Sequence, residues 1–215
     1  MRGITIIFDN EIFHTGDDLD LVQEKKEIGK PEIQTYSVQV PGRNGLLNLT
    51  KALTGKVSYY NRSLSFQYFG TGDRDYLLEL DTYMSRLHGQ TIQIVDDDYP
   101  NHYYEGEASV STELNHNYII ITLTVDAQPF RLRREKTVYS RDINGTTLVY
   151  LDNESIDVVP TITVTAETEI TFNGVTVNII AGTYTIDEYA LHRGVNILEV
   201  TGTGKITFEY REGAI

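Results

Sequence analysis

The 215-residue sequence contains no cysteine, which excludes both a disulfide framework and a thiolate metal site. It also has no apolar run near the roughly 18 residues that a membrane-spanning helix needs, so we predict no membrane insertion. The apolar stretch at the N-terminus is interrupted by Asp9 and is too short for the hydrophobic region of a secretory signal. These absences favour a soluble protein made in the cytoplasm.

Basic residues are scarce beside acidic ones. The chain has 18 Lys and Arg against 31 Asp and Glu, a formal net charge of −13. Both parts share the sign, with −7 for residues 1–135 and −6 for residues 136–215. This charge repels a phosphate backbone, so we predict no sequence-specific or general nucleic-acid binding. Solubility is the more ordinary reason for an acidic composition.

The usual signatures of catalytic and cofactor sites are also missing. The sequence has no G-x-S-x-G nucleophile motif and no closely spaced histidine pair. The segment 201–205 ends in Gly-Lys, but Glu199 stands where a phosphate-binding loop needs glycine, and Ile206 follows the lysine. We interpret its glycines as the bend of a hairpin. We predict no enzymatic activity, no cofactor and no metal site.

Strand patterns dominate the first part of the chain, and we predict a mainly β fold. Tyrosine is abundant, with 15 residues, and suits the surface of a pleated sheet. Alternation of apolar and polar residues predicts a half-buried strand over 36–40, which leads into Pro41. Further predicted strands cover residues 4–8, 56–60, 63–68, 91–95 and 118–125.

One segment, residues 73–88, has the 3.6-residue repeat of an amphipathic helix. Asp73 is the predicted N-cap, and Gly89 stands where a left-handed C-cap glycine belongs. His88 would then face the negative end of the helix dipole. The apolar stripe consists of Tyr76, Leu77, Leu80, Tyr83, Met84 and Leu87.

Beyond residue 130 the chain changes to short strands separated by turn signals such as Asn173-Gly174 and Arg193-Gly194. Many short strands with regular turns are typical of a small sandwich or barrel. We therefore predict two β-sandwich domains, residues 1–137 with one helix and a hairpin, and residues 138–215. The predicted strands of the second domain are 161–165, 170–172, 175–180, 182–186, 194–200 and 205–210.

The most evident candidate for a metal is the run Asp96-Asp97-Asp98. Carboxylates suit calcium or magnesium, but consecutive residues of a strand point to opposite faces, so at most two can converge without a bend. The spacing of a calcium-binding loop is also missing. The preferred interpretation is an exposed turn that leads into Tyr99-Pro100.

The stretch PGRNGLLNLT, residues 41–50, reads as a hairpin turn. Asn44 and Gly45 both tolerate positive φ, and Leu46, Leu47 and Leu49 follow at once. We predict that Arg43 and Asn44 project from the first domain towards a neighbouring subunit. A local salt bridge of Arg43 is an equal alternative, which an Arg43→Ala variant that still forms assemblies would support.

Several of these stretches, in this order, resemble the distal tail protein family of long-tailed, non-contractile bacterial viruses. In the first domain the resemblance rests on residues 43–50, 59–66, 87–89, 96–106 and 128–130. In the second it rests on residues 193–198, 202–204 and 210–213.

The resemblance implies a galectin-like second domain and a ring of six copies at the virion tail tip. One face of the ring would meet the major tail tube protein. The other would meet the tail-associated lysin or fibre protein, with receptor-binding proteins attached in some relatives. Acidic walls would keep DNA from adhering during ejection. The residues expected at assembly interfaces are Arg43, Asn44, Gly45, Asn61, Arg62, Asp96, Asp97 and Asp98.

A second function remains open, because tyrosines stack on sugars as well as on protein surfaces. The chain could be a glycan-binding, lectin-like adhesion module built from two sandwiches. A monomer with affinity for sugars would favour this alternative, and a hexamer would favour the tail ring.

Overall fold

The computed structural model describes residues 2–42, 44–50 and 57–215. It is mainly β with large antiparallel sheets, which confirms the predicted fold class. The chain divides into two compact units, residues 1–131 together with Ile215, and residues 132–214. The division lies shortly before strand Thr137–Asn153, whose first residue is the last residue of the predicted first domain.

The first unit is built on one antiparallel sheet. Its strand order is β2-β1-β7-β8-β9-β6-β3, and β4 pairs with β5 in a separate two-stranded ribbon. The elements are β1 Ile4–Phe8, β2 Glu11–His14, β3 Val22–Ile28, β4 Ser37–Gln39, β5 Leu46–Asn48, β6 Arg62–Thr71, α1 Arg74–Ser85, β7 Thr91–Asp96, β8 His102–Leu114 and β9 Tyr118–Ala127. The short strand β10, Arg131–Arg133, begins at the last residue of the first unit and ends in the second.

Two segments of this unit depart from the predicted pattern. The predicted strand over 36–40 exposes Tyr36, Val38 and Val40, so the prediction of a half-buried strand is wrong. In the predicted strand over 56–60, Tyr59 forms only an isolated bridge with Ile33, and residue 56 lies outside the described residues.

The helix α1 begins where the sequence predicts. The Asp73 side chain accepts a hydrogen bond from the backbone N–H of Tyr76, which caps the first turn. The end differs, because the helix stops at Ser85 and Gly89, with φ +74°, lies in the following turn. Nδ1 of His88 accepts from the backbone N–H of Val110 on β8, so the predicted placement at the helix dipole is wrong.

Within the described residues, no helix could cross a membrane.

The first sheet folds back on itself. The strand β3 lies four places from β7 in the sheet order, which would separate them by about 19 Å in a flat sheet. Yet Nζ of Lys26 on β3 lies 2.6 Å from Oδ2 of Asp96 on β7. The sheet therefore curls into two facing layers. Its enclosed core includes Ile6, Phe66 and Leu123, and α1 packs on β8 and β9.

The second unit is organised around one long ribbon, in which β11 and β16 pair over their whole length. The β16 strand also pairs with β13 near its middle and with β12 near its end. The elements are β11 Thr137–Asn153, β12 Thr161–Val164, β13 Thr168–Phe172, β14 Val175–Ile179, β15 Gly182–Thr185, a 3-10 turn Asp187–Tyr189, β16 Gly194–Tyr210 and β17 Gly213–Ala214.

This ribbon is sharply bent. Tyr210 pairs with Thr137, and a straight strand would carry Asp152 about 50 Å away from there. Yet the Tyr210 hydroxyl donates to the backbone carbonyl of Asp152. The bend lies where Gly145, with φ +89°, pairs with Gly202. The predicted hairpin and separate strands over 194–200 and 205–210 are therefore wrong, because the glycines bend one strand between two layers instead of reversing it.

Turn chemistry is confirmed elsewhere in the second unit. Asn173 and Gly174 have φ of +51° and +81° and join β13 to β14 as a two-residue hairpin turn. The core between the layers contains Tyr189, Phe208 and Leu198. The Tyr189 hydroxyl donates to the carbonyl of Ile170, which satisfies its only polar group inside that core.

Candidate assembly surface

The chain leaves the main sheet after β3 and returns to it at β6, and the described residues between, 30–42, 44–50 and 57–60, form an extension that we call the arm. Hydrogen bonds along its base join opposite segments, from Tyr60 N–H to the Glu32 carbonyl (2.8 Å) and from Gln34 N–H to the Ser58 carbonyl (2.8 Å). Farther out, β4 and β5 pair with each other and with no other described strand. The arm is therefore a narrow two-stranded ribbon beyond the sheet.

The arm exposes an unusual share of apolar side chains. Every residue of β4 is exposed, and Leu46 on β5 has 65% of its surface accessible. A two-stranded ribbon without a hydrophobic face to cover it is marginally stable in water. Grouped apolar side chains on such an element indicate contact with another molecule. The exposed apolar residues of the arm are Ile33, Tyr36, Val38, Val40, Leu46 and Tyr60.

The root of the arm is fixed by Arg62, the first residue of β6. Its Nε and Nη2 donate to the carbonyl of Gly29 at 2.8 and 2.6 Å, and its guanidinium lies over the Tyr104 ring. Burial lowers the pKa of this arginine, since the charged form loses hydration. Because Gly29 precedes the arm and Arg62 follows it, this contact fastens together the two ends of the arm.

The acidic run, residues 96–98, begins at the last residue of β7, and its carboxylates contact three basic side chains. Asp96 and Asp98 both accept from Nζ of Lys26, at 2.7 and 2.6 Å. Asp97 points the other way and accepts from the Gly3 N–H at 2.8 Å. The alternation expected of neighbouring strand residues thus holds, with two carboxylates on one cation and the third elsewhere. Asp97 and Asp98 lie in the exposed turn that we predicted before Tyr99-Pro100, whereas Asp96 is the last residue of β7 and is buried.

The charges of this cluster stabilise one another. Hydrogen bonds from Lys26 and then from Arg2 lower the pKa of Asp98. Burial opposes ionisation of Lys26, but hydrogen bonds and charges from Asp96 and Asp98 outweigh it and raise the pKa of the lysine. The imidazole Nε2 of His14 lies 3.3 Å from Asp97, and its Nδ1 accepts from the Asp17 N–H. Every partner here belongs to the chain itself.

The predicted interface residues therefore fall into three separate groups. Asn44 and Gly45 lie at the tip of the arm, where Gly45 has φ +82°, and Arg43 lies outside the described residues. Arg62 is buried at the arm root, and Asn61 beside it is exposed. Asp96, Asp97 and Asp98 form the third group. Within the described ranges, no hydrogen bond or ion pair joins one group to another.

Sequence reasoning missed the exposed apolar residues of the arm. The alternation of Tyr36, Val38 and Val40 was interpreted as one buried face, but the same pattern occurs where that face meets another molecule. It also missed Lys26, which lies in the highly charged strand β3. The one feature of the sequence that indicates a strand around Lys26 is the apolar residue at each end of the segment, Val22 and Ile28.

Comparison with known proteins gives a fold relationship. No protein-family profile matches the sequence, and no curated protein matches it. Among solved structures, the chain is similar to the Dit protein of phage SPP1, described as a paradigm of the hub adsorption apparatus in phages that infect Gram-positive bacteria. The TM-score is 0.64 with 15% sequence identity, and the similarity covers 99% of each chain. The two proteins share one fold over their whole length.

Proposed function

We propose that this chain is a structural component of a bacteriophage tail, a distal tail protein that forms a ring of six copies at the tail tip. The observation that carries the proposal is the fold shared with SPP1 Dit over 99% of both chains. Because the similarity covers almost all of both chains, it supports the same architecture for each of the two units. Fold alone does not decide function. The sequence stretches that resemble the distal tail protein family, in the same order along the chain, support the same assignment independently.

The arm is the part of the chain that we expect to build the ring. A head-to-tail contact, in which one surface of a subunit meets a different surface of the next, closes into a ring when its rotation allows. A narrow ribbon with apolar side chains such as Val38 and Leu46 suits that contact, because the next subunit would cover them. Arg62 would set the direction of the arm from its root.

The partners that we propose follow from that position. One face of the ring would contact the major tail tube protein, and the other the tail-associated lysin or fibre protein. Receptor-binding proteins would attach at the periphery. In this role the chain joins the neighbouring proteins of the tail and carries out no catalysis.

Native mass spectrometry and negative-stain electron microscopy of the chain, alone and co-expressed with the tube and tail-associated proteins, test the ring. We expect hexamers, formed at least with these partners, because assembly depends on mass action. The double variant Val38→Ser, Leu46→Ser should prevent hexamers by removing the buried apolar contact. The matched control, Val175→Ser with Ile180→Ser, changes exposed apolar residues of the second unit and should leave hexamers intact.

Persistence of hexamers in the arm variant would contradict the proposed use of the arm. A chain that stays monomeric with every partner and binds a glycan on an array would contradict the ring itself and support the lectin-like alternative. Antibody labelling of virions then tests the location, and a label elsewhere than the tail tip would contradict the proposed position.

A further inference from the structure

The second unit carries an apolar surface that the proposed ring does not use. Four side chains on the outer face of the ribbon, Leu148 and Tyr150 on β11 with Val195 and Ile197 on β16, are each between 44% and 65% exposed. We call them the apolar quartet. Tyr150 lies directly opposite Ile197 in the register, so the four form one patch.

The other half of the same ribbon shows that this patch is not a general property of the sheet. Beyond the glycine bend, the outward positions carry Ser140, whose hydroxyl bonds that of Thr207 at 2.9 Å, and the register pair Asp142 and Lys205. That half exposes a single large apolar side chain at these positions, Val138, which lies opposite Glu209. The other half exposes the four of the quartet, with Glu199 opposite Leu148, so the exposed apolar side chains are concentrated in one half of the ribbon. The quartet covers on the order of 400 Å², a size at which exposed patches commonly mark binding sites.

A pocket of about 340 Å³ lies beside the quartet, between the two halves of β11, and we call it the tyrosine pocket. Tyr139, Tyr150 and Tyr210 line it, so Tyr150 belongs to both surfaces. The Tyr210 hydroxyl donates to the Asp152 carbonyl. Burial, together with the carboxylates of Glu212 and Asp152, raises the pKa of Tyr210 to about 12.

The charges that line the pocket leave a negative excess. Arg133 is its one basic residue, and it pairs with Glu154 at 3.1 Å and with Glu212 at 3.4 Å. The third carboxylate, Asp152, forms no ion pair with the described residues. Three carboxylates against one guanidinium give a net charge of −2. Aromatic rings and an excess of carboxylates are the surroundings that a guanidinium prefers.

We propose that this surface binds an extended segment of a partner protein, which inserts an arginine into the tyrosine pocket and lays adjoining apolar side chains on the apolar quartet. The occupant is a segment because the quartet offers about half of the roughly 800 Å² that each partner buries in a standard interface. The occupant is cationic because the pocket is negative. A second copy is disfavoured since residues 132–214 contain 12 acidic and 7 basic residues, net −5.

Side chains, not a sheet extension, make the contact. The Leu148 carbonyl already accepts from Nη1 of Arg141 at 3.1 Å, and the Asp152 carbonyl accepts from Tyr210. Both carbonyls flank Tyr150 on the open edge of β11. A strand added there would have to displace both donors. The inference is also independent of the proposed ring, because every residue that carries it belongs to the second unit.

Fluorescence anisotropy of labelled peptides titrated with the full chain tests the proposal. One probe has a single arginine between two valines in a Gly-Ser background, and its match replaces arginine by the uncharged isostere citrulline. We expect the citrulline peptide to bind at least tenfold more weakly. The double variant Asp152→Asn, Glu154→Gln should weaken the arginine peptide by a similar factor, whereas Glu169→Gln on the same sheet should not.

The apolar contact is tested with Ile197→Ser, which should weaken both peptides, against Ile180→Ser, which should affect neither. The proposal is overturned if arginine and citrulline peptides bind alike, if neither binds, or if the control variants weaken binding as much. It is equally overturned if sedimentation shows a self-associated chain that Ile197→Ser dissociates, since the occupant would then be a second copy. Arm variants that abolish hexamers should leave peptide binding unchanged, so the two proposals fail separately.

Discussion

Replacing Lys26 by methionine should destabilise the first unit strongly, and the structure gives the size of the effect. Nζ of Lys26 contacts both Asp96 and Asp98 across the opening between β3 and β7. The Asp96 side chain is only 2% exposed, so water replaces the lost cation poorly. Removing one partner of a buried pair costs about 3–5 kcal/mol.

Since the Lys26 side chain is itself 23% exposed, some solvent reaches the site. We expect a loss of about 3 kcal/mol, which lowers the midpoint of thermal unfolding by about 10 °C.

The effect should depend on pH in both directions. In the wild type a hydrogen bond from Lys26 lowers the pKa of Asp98, so the stability from this contact is present above the pKa of an unfolded aspartate, about 3.9, and is lost as the pH falls through the folded pKa. The difference between the wild type and the variant should therefore shrink below about pH 4. In the wild type the raised pKa of Lys26 stabilises the fold below the pKa of the unfolded lysine, about 10.4, and that stability is lost as the pH rises through the folded pKa. The variant should lack this alkaline loss.

Urea denaturation followed by circular dichroism, with hydrogen exchange at β6 and β9 amides, measures the change in the first unit. The control is Lys25→Met, because Lys25 pairs with Glu27 at 2.8 Å while both side chains are 61% exposed. That pair should contribute no more than about 0.5 kcal/mol. Equal losses in the two variants, or a Lys26→Met loss that does not change between pH 7 and about pH 3, would refute the reasoning.

Three further substitutions test other contacts by the same denaturation assay. Gly106→Ala should cost more than about 2 kcal/mol, because its Cβ would lie 2.3 Å from the Asp126 carbonyl oxygen, and Gly29→Ala, whose Cβ would lie 3.5 Å from the Ser63 carbonyl oxygen, should cost less. Arg62→Met should cost about 2 kcal/mol by leaving the Gly29 carbonyl without its donor, and should speed hydrogen exchange at the arm base. Asn196→Ala should cost about 2 kcal/mol, since its amide bonds three backbone carbonyls.

Local patterns in the sequence predicted the elements whose stability is mainly local. The capping of α1 by Asp73 and the turn at Asn173-Gly174 both appear in the structure as expected. Each depends on residues a few positions apart, which a single sequence displays directly. The end of α1 was less predictable, because β8 offers His88 a better partner than the helix does.

The errors share a physical cause: each segment that was wrongly predicted pairs with a strand that lies far away in the sequence. No strand is predicted over the charged segment that contains Lys25, Lys26 and Glu27, yet it forms β3, which pairs with β6 and buries part of Lys26 against β7. Gly202 looks like a hairpin turn, yet it continues one strand because Gly145 bends opposite it. In both places tertiary pairing overrides local propensity.

The candidate site shows the same limit. Asp96 and Arg62 are expected at assembly interfaces because they lie in stretches that resemble the family, but a shared stretch can serve internal structure as readily as contact with a partner. Arg62 is buried within the first unit on the carbonyl of Gly29, and Asp96 on the amine of Lys26. Any effect of either residue on assembly would be indirect, through the strands and loops that it positions.

The arm combines a fixed root with an uncovered end, and this combination bears on how it would work. A ribbon such as β4–β5 buries too little apolar surface to order itself, so its direction must be imposed where it leaves the sheet. Arg62 does this with two hydrogen bonds to Gly29, and Lys26 anchors the strand that leads into the arm. Buried charges are costly when unpaired, so these contacts tolerate little change of geometry. The exposed end, with Val38 and Leu46, is then already oriented when a neighbouring subunit covers it. Because the arm need not be ordered on binding, the entropic cost of the contact is lower.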